Sequence, residues 1–322
     1  MKNRKAIILA AGFGIRLESI TMHKPKCMIK VGGKPILEYQ LDAFSNLQLD
    51  EIIIVTGYKS EVIKDYVNQQ HYDNIKIVEN TNYQNSNNMF SLWQCKNELL
   101  QSDHVYISNA DVLFDESILQ RLALESGSHI ICQKDLFNIE SMKISLNGDS
   151  TIGDISKDID QKDSFGCSID VYSFSNQICN ELVKQMSIII EKNGDLNQWT
   201  EVAIQNLVKL NNKEINPFCL IENEKWFEID TMDDLIEAEI VFAELSEELK
   251  NKKGFIFDLD GTIYIGENSI PGAKEFISKV QSKNLTVKFI SNNSSKNKTE
   301  YSEKLQSQGI IVDNEQIILS TD

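Results

Sequence analysis

The chain has 322 residues, a net charge of −16, 41% hydrophobic and 8% aromatic residues. That length allows about two domains of ordinary globular composition. The acidity excludes a general nucleic-acid surface, which needs a basic face, but leaves room for a locally positive triphosphate pocket.

The first predicted element is a buried strand, Ile7-Ile8-Leu9, followed by a loop of small residues: Ala10, Ala11, Gly12 and Gly14. Such a loop lets consecutive backbone N–H groups point at one anion. Arg16 can fork onto phosphate oxygens, and Lys26, stiffened by Pro25, adds a mobile point charge. The chain has only three arginines, Arg4, Arg16 and Arg121, and one of them sits here. The basic start and short apolar run are read as a first strand, not a signal peptide. No stretch is long enough to span a membrane. Cys27, Cys95, Cys132, Cys167, Cys179 and Cys219 form no CxxC pair, which fits reduced thiols in a cytoplasmic protein.

The string is neither a Walker loop nor a GxGxxG fingerprint. LAAGFGIRL followed by KPK resembles the signature of the nucleotidyltransferases that make sugar nucleotides and CDP-alcohols. Helical spacing over Ile36–Leu47 and Glu61–Val67 alternates with short apolar strands at Ile52–Val55 and Ile75–Val78. This predicts a Rossmann-like α/β domain with a mixed, mainly parallel sheet, and ligands at the strands' carboxyl ends.

Ser86 or Asn87 is placed to cap a helix with Met89, Leu92, Trp93 and Leu99 on its apolar face. NNMFSLW resembles the same stretch of bacterial phosphocholine cytidylyltransferases, which implies Asn88 and Ser91 near a nucleotide base, together with Leu9 and the loop. The strand His104–Ser108 then delivers Asp111, whose hard oxygens suit Mg²⁺. The resemblance makes Asp111 a metal ligand. Asp115 and Glu116 read as the first turn of a helix.

Strands are expected at His129–Gln133, Ser141–Leu146 and Cys167–Phe174. Antiparallel strands often cover the acceptor site in the family that the motifs resemble, which makes Lys143, Lys157 or Asp170 candidates to touch the acceptor; a solvated lysine is the commoner case, and none of the three is taken as a site residue. Asp195 is expected to cap a helix bearing Trp199, Val202, Ala203 and Leu207. KWFEIDTMDDL then matches the family's W-x-E-I-D-T/S pattern, which implies that Asp230 is the second Mg²⁺ ligand. An acidic amphipathic helix over about 233–251 closes a first domain expected at 1–250.

The second domain is expected at 254–322. Asp258, Asp260 and Thr262 in DLDGT after an apolar strand resemble motif one of the haloacid dehalogenase phosphatases, and Ser291-Asn292 after the strand Val287–Ile290 resembles motif two. The resemblance gives Asp258 as nucleophile, Asp260 as acid/base and Ser291 as a phosphoryl hydrogen-bond donor. The cap, the motif-three lysine and the motif-four acidic pair are missing. This part is therefore expected to bind Mg²⁺ poorly and to be inactive as a phosphatase. A partial sheet exposes an edge, so it is expected to lean on the first domain or on a second copy.

The resemblance implies an Mg²⁺-dependent cytidylyltransferase: the phosphate of a small acceptor attacks the α-phosphorus of CTP, with Arg16 and Lys26 neutralising charge. Phosphocholine, with Trp93, Trp199 or Phe90 as an aromatic cage, is one acceptor of this kind. Two other readings stand beside it: a sugar-1-phosphate nucleotidyltransferase using UTP or dTTP, and a phosphatase with a nucleotide-sensing first domain. The fusion suggests a pathway that decorates surface polysaccharide.

Overall fold

The computed structural model describes residues 3–14, 17–70, 72, 74–210, 215–242, 252–270, 272–282, 285–292 and 296–320. The chain divides into two compact units, Met1–Asp234 and Leu235–Asp322. The division falls inside the junction helix, after its third described residue, so most of that helix groups with the second unit. Its described part is Met232–Phe242; residues 243–251 lie outside the described residues.

In the first unit, β1 (Arg4–Ala10) is central. It is followed by α1 (Glu18–Thr21), the short strands β2 (Lys30–Val31) and β3 (Lys34–Pro35), and α2 (Ile36–Ser45). Then come β4 (Glu51–Thr56), α3 (Ser60–Gln70) and β5 (Ile75–Glu79). The helix expected from Asn88 breaks in two, α4 (Asn88–Trp93) and α5 (Lys96–Gln101), and Leu99 belongs to the second piece. Next are β6 (His104–Asn109), β7 (Val112–Phe114), α6 (Glu116–Leu122), β8 (Ser128–Lys134), β9 (Lys143–Leu146), β10 (Ile152–Ser156) and β11 (Gly166–Ser175). α7 (Asn176–Ser187), α8 (Thr200–Lys209), β12 (Ile215–Cys219) and β13 (Trp226–Glu228) complete the unit.

The main sheet is mixed, in the order β10-β9-β11-β6-β1-β4-β5, with β8 joining β11 to β12. β6, β1, β4 and β5 run parallel, and β11 lies antiparallel beside β6. The continuous apolar runs of β1 and β4 have a simple cause: both faces are covered. Ile7, Leu9, Ile53 and Val55 pack under α4, α7 and α8, alongside Leu92, Leu182 and Ile204. Ala6, Ile8, Ile52 and Ile54 pack under α2, α3 and α6, alongside Leu41, Phe44 and Ile118. Each Ile, Leu, Val or Phe side chain among these stabilises the fold by about 1.5–3 kcal/mol when fully buried.

In the second unit, strands Gly254–Asp258, Thr286–Ser291 and Ile317–Leu319 form a parallel three-stranded sheet. Phe289 and Ile317 are buried on one face with Val280 and Leu305, whereas Ile256 (66% exposed) and Ile290 (43%) stand open on the other. Strand Gly254–Asp258 has an unpaired edge among the described strands.

Phe44 is fully buried and its ring meets those of Tyr106 and Phe114. Phe44→Ala is expected to destabilise the first unit by about 3–5 kcal/mol. Urea unfolding followed by circular dichroism reads this; a loss under about 1 kcal/mol contradicts the packing described.

Candidate active site

The site lies at the carboxyl ends of β1 and β6, where a parallel sheet opens a crevice. The loop after β1 stays low because Gly57 lets it pass: a Cβ on Gly57 would stand 2.8 Å from the Ala11 carbonyl oxygen. Gly14 adopts φ +67°, a conformation that favours glycine, and Thr21 Oγ1 donates to its carbonyl. Leu9, Ala10, Gly12, Gly14, Lys26 and Asp111 line a small cavity of about 120 Å³. The smallness of these residues leaves room for an anion beside Lys26. Arg16, expected on the same phosphates, lies outside the described residues.

Two carboxylates far apart in sequence meet here because β13 pairs antiparallel with β7, Glu228 opposite Val112. The N–H of Ile229 donates to the Asp111 carbonyl at 3.0 Å. Asp111 and Asp230 thus come together as expected. Glu228 joins them, and carboxylate oxygens of all three lie within 4.8 Å of one another. Lys26 Nζ ion-pairs with Asp111 Oδ2 at 2.8 Å and with Asp230. Burial pushes the Lys26 ammonium down, but the charges and hydrogen bonds of Asp111 and Asp230 reverse this and hold it above the ordinary lysine range. Burial, then the charges of Asp111 and Asp230, push Glu228 up to about 7. An all-oxygen set under such mutual repulsion fits a hard divalent cation such as Mg²⁺, whose charge would relieve it.

Gln40 on α2 holds this turn from behind. Fully buried, it donates from Nε2 to the carbonyls of Asn109 (2.8 Å) and Val112 (2.6 Å), which bracket Asp111.

A larger cavity of about 290 Å³ continues from the cluster. Leu9, Ala11, Gly12, Asn88 and Ser91, the residues expected near a nucleotide, line it together with Lys157 and Asp170. Ser91 accepts from Asn80 Nδ2 (3.1 Å). Asn87 caps α4, accepting from the Asn88 N–H. Asn88 Nδ2 donates to Asn109 Oδ1 (3.3 Å), and its Oδ1 accepts from the Thr200 N–H (2.8 Å), tying α4 to α8.

Of the three candidate cage aromatics, only Trp199 lines the cavity. Trp93 is in the core, with Phe90 packed against that core. Asp195 does not cap α8, which begins five residues later behind Trp199; its carboxylate instead accepts from the N–H of Asn197 and from Gln198. Lys143 is neither solvated nor in the cavity: buried, it donates to the carbonyls of Asn138, Ile139 and Ser141 and so shapes the loop that brings Glu140 and Ser141 to the rim.

Sequence reasoning missed Glu228, Gln40 and Glu201. Glu228 had a signal: it stands two residues before Asp230, on the same side of an extended segment.

In the second unit Asp258 and Ser291 end adjacent parallel strands. Asp258 ends the first of them; Asp260 and Thr262 flank Gly261, whose N–H donates to the Tyr264 carbonyl (2.8 Å). Ser291 is buried and donates to the Tyr301 hydroxyl (3.1 Å), while the exposed Asn292 accepts from Ser320 through its carbonyl.

Residues 6–137 match the MobA-like NTP transferase domain, and residues 255–322 match the haloacid dehalogenase-like hydrolases. A choline-phosphate cytidylyltransferase of Streptococcus pneumoniae is 29% identical over 77% of this chain and 99% of its own. A CTP:phosphoglutamine cytidylyltransferase of Campylobacter jejuni is 28% identical over 71% and 97%. Among solved structures, the CTP:phosphocholine cytidylyltransferase of Streptococcus pneumoniae aligns with TM-score 0.61 at 23% identity, covering 75% of this chain and 99% of that one. This last likeness shows the fold.

Gln40→Leu removes a donor from both carbonyls; Asn109 keeps Ser108 Oγ, and the loss at the buried Val112 carbonyl costs about 1–3 kcal/mol. The expected outcome is a lowered melting temperature and a fall in turnover that persists at temperatures where the variant is fully folded. Unchanged turnover in the folded variant contradicts a role for Gln40 in placing Asp111.

Proposed function

We propose that this chain, whose first unit carries a MobA-like NTP transferase domain and is a nucleotidyltransferase, transfers CMP from CTP to the phosphate or phosphonate of a small acceptor and releases pyrophosphate. The observation that carries the reading is the meeting of Asp111, Glu228, Asp230 and Lys26 beside the small-residue loop. The Streptococcus and Campylobacter relatives are both named for cytidylyl transfer and differ in acceptor, which favours CTP here and leaves the acceptor to the larger cavity.

The triphosphate would lie along the loop between Leu9 and Gly14, with Lys26 and Arg16 balancing its charge. The acceptor's own phosphate oxygen attacks the α-phosphorus in line, so no protein nucleophile is required. Asp111, Glu228 and Asp230 would hold Mg²⁺, which supplies charge neutralisation at the α-phosphate and the attacking oxygen. Asn88 and Ser91 stand ready for the base, since amide and hydroxyl groups can both donate and accept. All six cysteines are free, which favours the reducing cytoplasm as the place of action. No described helix is long and apolar enough to cross a membrane.

Pyrophosphate release should require CTP, an acceptor and Mg²⁺, and should stop on chelation. Asp111→Asn and Asp230→Asn should each lower kcat/KM by at least about 100-fold. Full activity in either variant, or an equal rate with UTP or dTTP and a sugar phosphate, contradicts the reading. Asp258→Asn should leave cytidylyl transfer untouched, and the wild type should release no phosphate from nitrophenyl phosphate. Phosphate release that disappears in Asp258→Asn would reassign the second unit as a working phosphatase.

A further inference from the structure

The larger cavity has a polarity that its proposed use as an acceptor site leaves unexplained, and any role for that polarity in choosing the acceptor rests on that use. Once Asp111, Glu228 and Asp230 are committed to the metal, three more carboxylates line the cavity: the exposed Glu140 at the rim, and Asp170 and Glu201, which Tyr172 links. The latter two share a single hydroxyl. Tyr172 lies 2.7 Å from Glu201 Oε1 and 3.2 Å from Asp170 Oδ1, yet a phenol has one hydrogen to give. The other neutral donors do not replace a cation: Asn109 Nδ2 reaches Asp170 (3.1 Å), and the Asn88 side chain reaches Glu201. Burial holds both carboxyls above their ordinary range, as expected for acids short of a counter-charge.

The cation on this wall is Lys157; its charge reaches Glu201, but no hydrogen bond or ion pair joins it to Asp170 or Glu201 among the described contacts. Its Nζ lies over the Trp199 ring, 5.0 Å from the centroid. An aromatic face holding an ammonium is not open to a second cation. A trimethylammonium group needs such a face and has no N–H to offer. A primary ammonium needs acceptors, and Asp170 and Glu201 supply them.

We propose that Asp170 and Glu201 recognise a protonated primary amine on the acceptor, and that Lys157 over Trp199 disfavours a trimethylammonium group in its place. The acceptor class is then a phosphate monoester, or a phosphonate, carrying a primary amine on a short linker. The amine would enter as the ion that the shared Tyr172 proton cannot replace. Its phosphate end would face the cluster at Asp111, which lines the same cavity.

The test uses the full chain with CTP and Mg²⁺, and compares steady-state kinetics for phosphoethanolamine, phosphocholine and n-propyl phosphate. The expected kcat/KM for phosphoethanolamine exceeds both others by about 10- to 100-fold, the range for losing one partner of a buried charge pair. Asp170→Asn should raise KM for phosphoethanolamine at least about tenfold while KM for CTP stays the same. Residue 170 sits at φ +57°, which asparagine tolerates, so the variant should fold. Lys157→Ala should narrow the gap between phosphocholine and phosphoethanolamine by freeing the ring. Phosphocholine equal or preferred, or n-propyl phosphate used as well as the amine, overturns this proposal and leaves cytidylyl transfer standing. No turnover of CTP with any acceptor overturns the enzymatic reading and this proposal together.

Discussion

The short ladder between β7 and β13 is the constraint on which the site depends. Each strand has three residues, yet their register decides whether Glu228 and Asp230 face Asp111 at all. A slip of one residue would turn both carboxylates to the opposite face. The register is held from outside the ladder. The Asp115 N–H donates to the Lys225 carbonyl, and the Lys225 N–H returns to Asp115 Oδ2, each at 2.9 Å. Arg121 forks onto Glu224 at 2.9 and 2.6 Å and also reaches the Cys219 carbonyl. Asp115, which looked like an ordinary helix-start residue, is thus one of the groups that align the ladder.

The same constraint forces like charges together. Three carboxylates in one small volume oppose folding, and Lys26, paired with two of them, offsets part of that repulsion. Such tension is expected where binding of a cation and an anion is the purpose of the site. The rest of the first unit supplies rigidity. β1, β4 and β6 are buried on both faces, so the loop after β1 and the turn after β6 start from fixed points. Gln40 extends that rigidity to the Asp111 turn, and Lys143 extends it to the cavity rim. Both act through backbone carbonyls, so neither needs to touch a substrate.

Much of this was legible in the sequence. Strands covered on both faces appear as unbroken apolar runs, so β1, β4 and β6 were visible. The small-residue loop and the two aspartates at strand ends carried recognisable motifs. The helix break after Trp93 and the late start of α8 were hidden, because apolar spacing does not show where a chain bends between two packed segments. Trp199 illustrates the consequence: its spacing with Ala203 and Leu207 suggested core, yet it is 43% exposed and lines the cavity. Lys143 failed in the opposite direction, because nothing local distinguishes a buried lysine on carbonyls from a solvated one. Gln40 was invisible for the same reason, since its partners are about seventy residues away. The second unit was legible through its motifs, whereas the exposure of Ile256 and Ile290 on one face of its sheet was not.

The proposed mechanism turns on one step, in which the acceptor's own phosphate oxygen displaces pyrophosphate from CTP at the Asp111 cluster. Isotope tracing follows that oxygen. Phosphoethanolamine labelled with ¹⁸O in its non-bridging phosphate oxygens would be turned over with CTP and Mg²⁺, and the products read by ³¹P nuclear magnetic resonance and mass spectrometry. Direct attack places ¹⁸O in the P–O–P bridge of the CDP product and leaves pyrophosphate unlabelled. Label in pyrophosphate or in free phosphate, or a bridge without ¹⁸O, would rule it out.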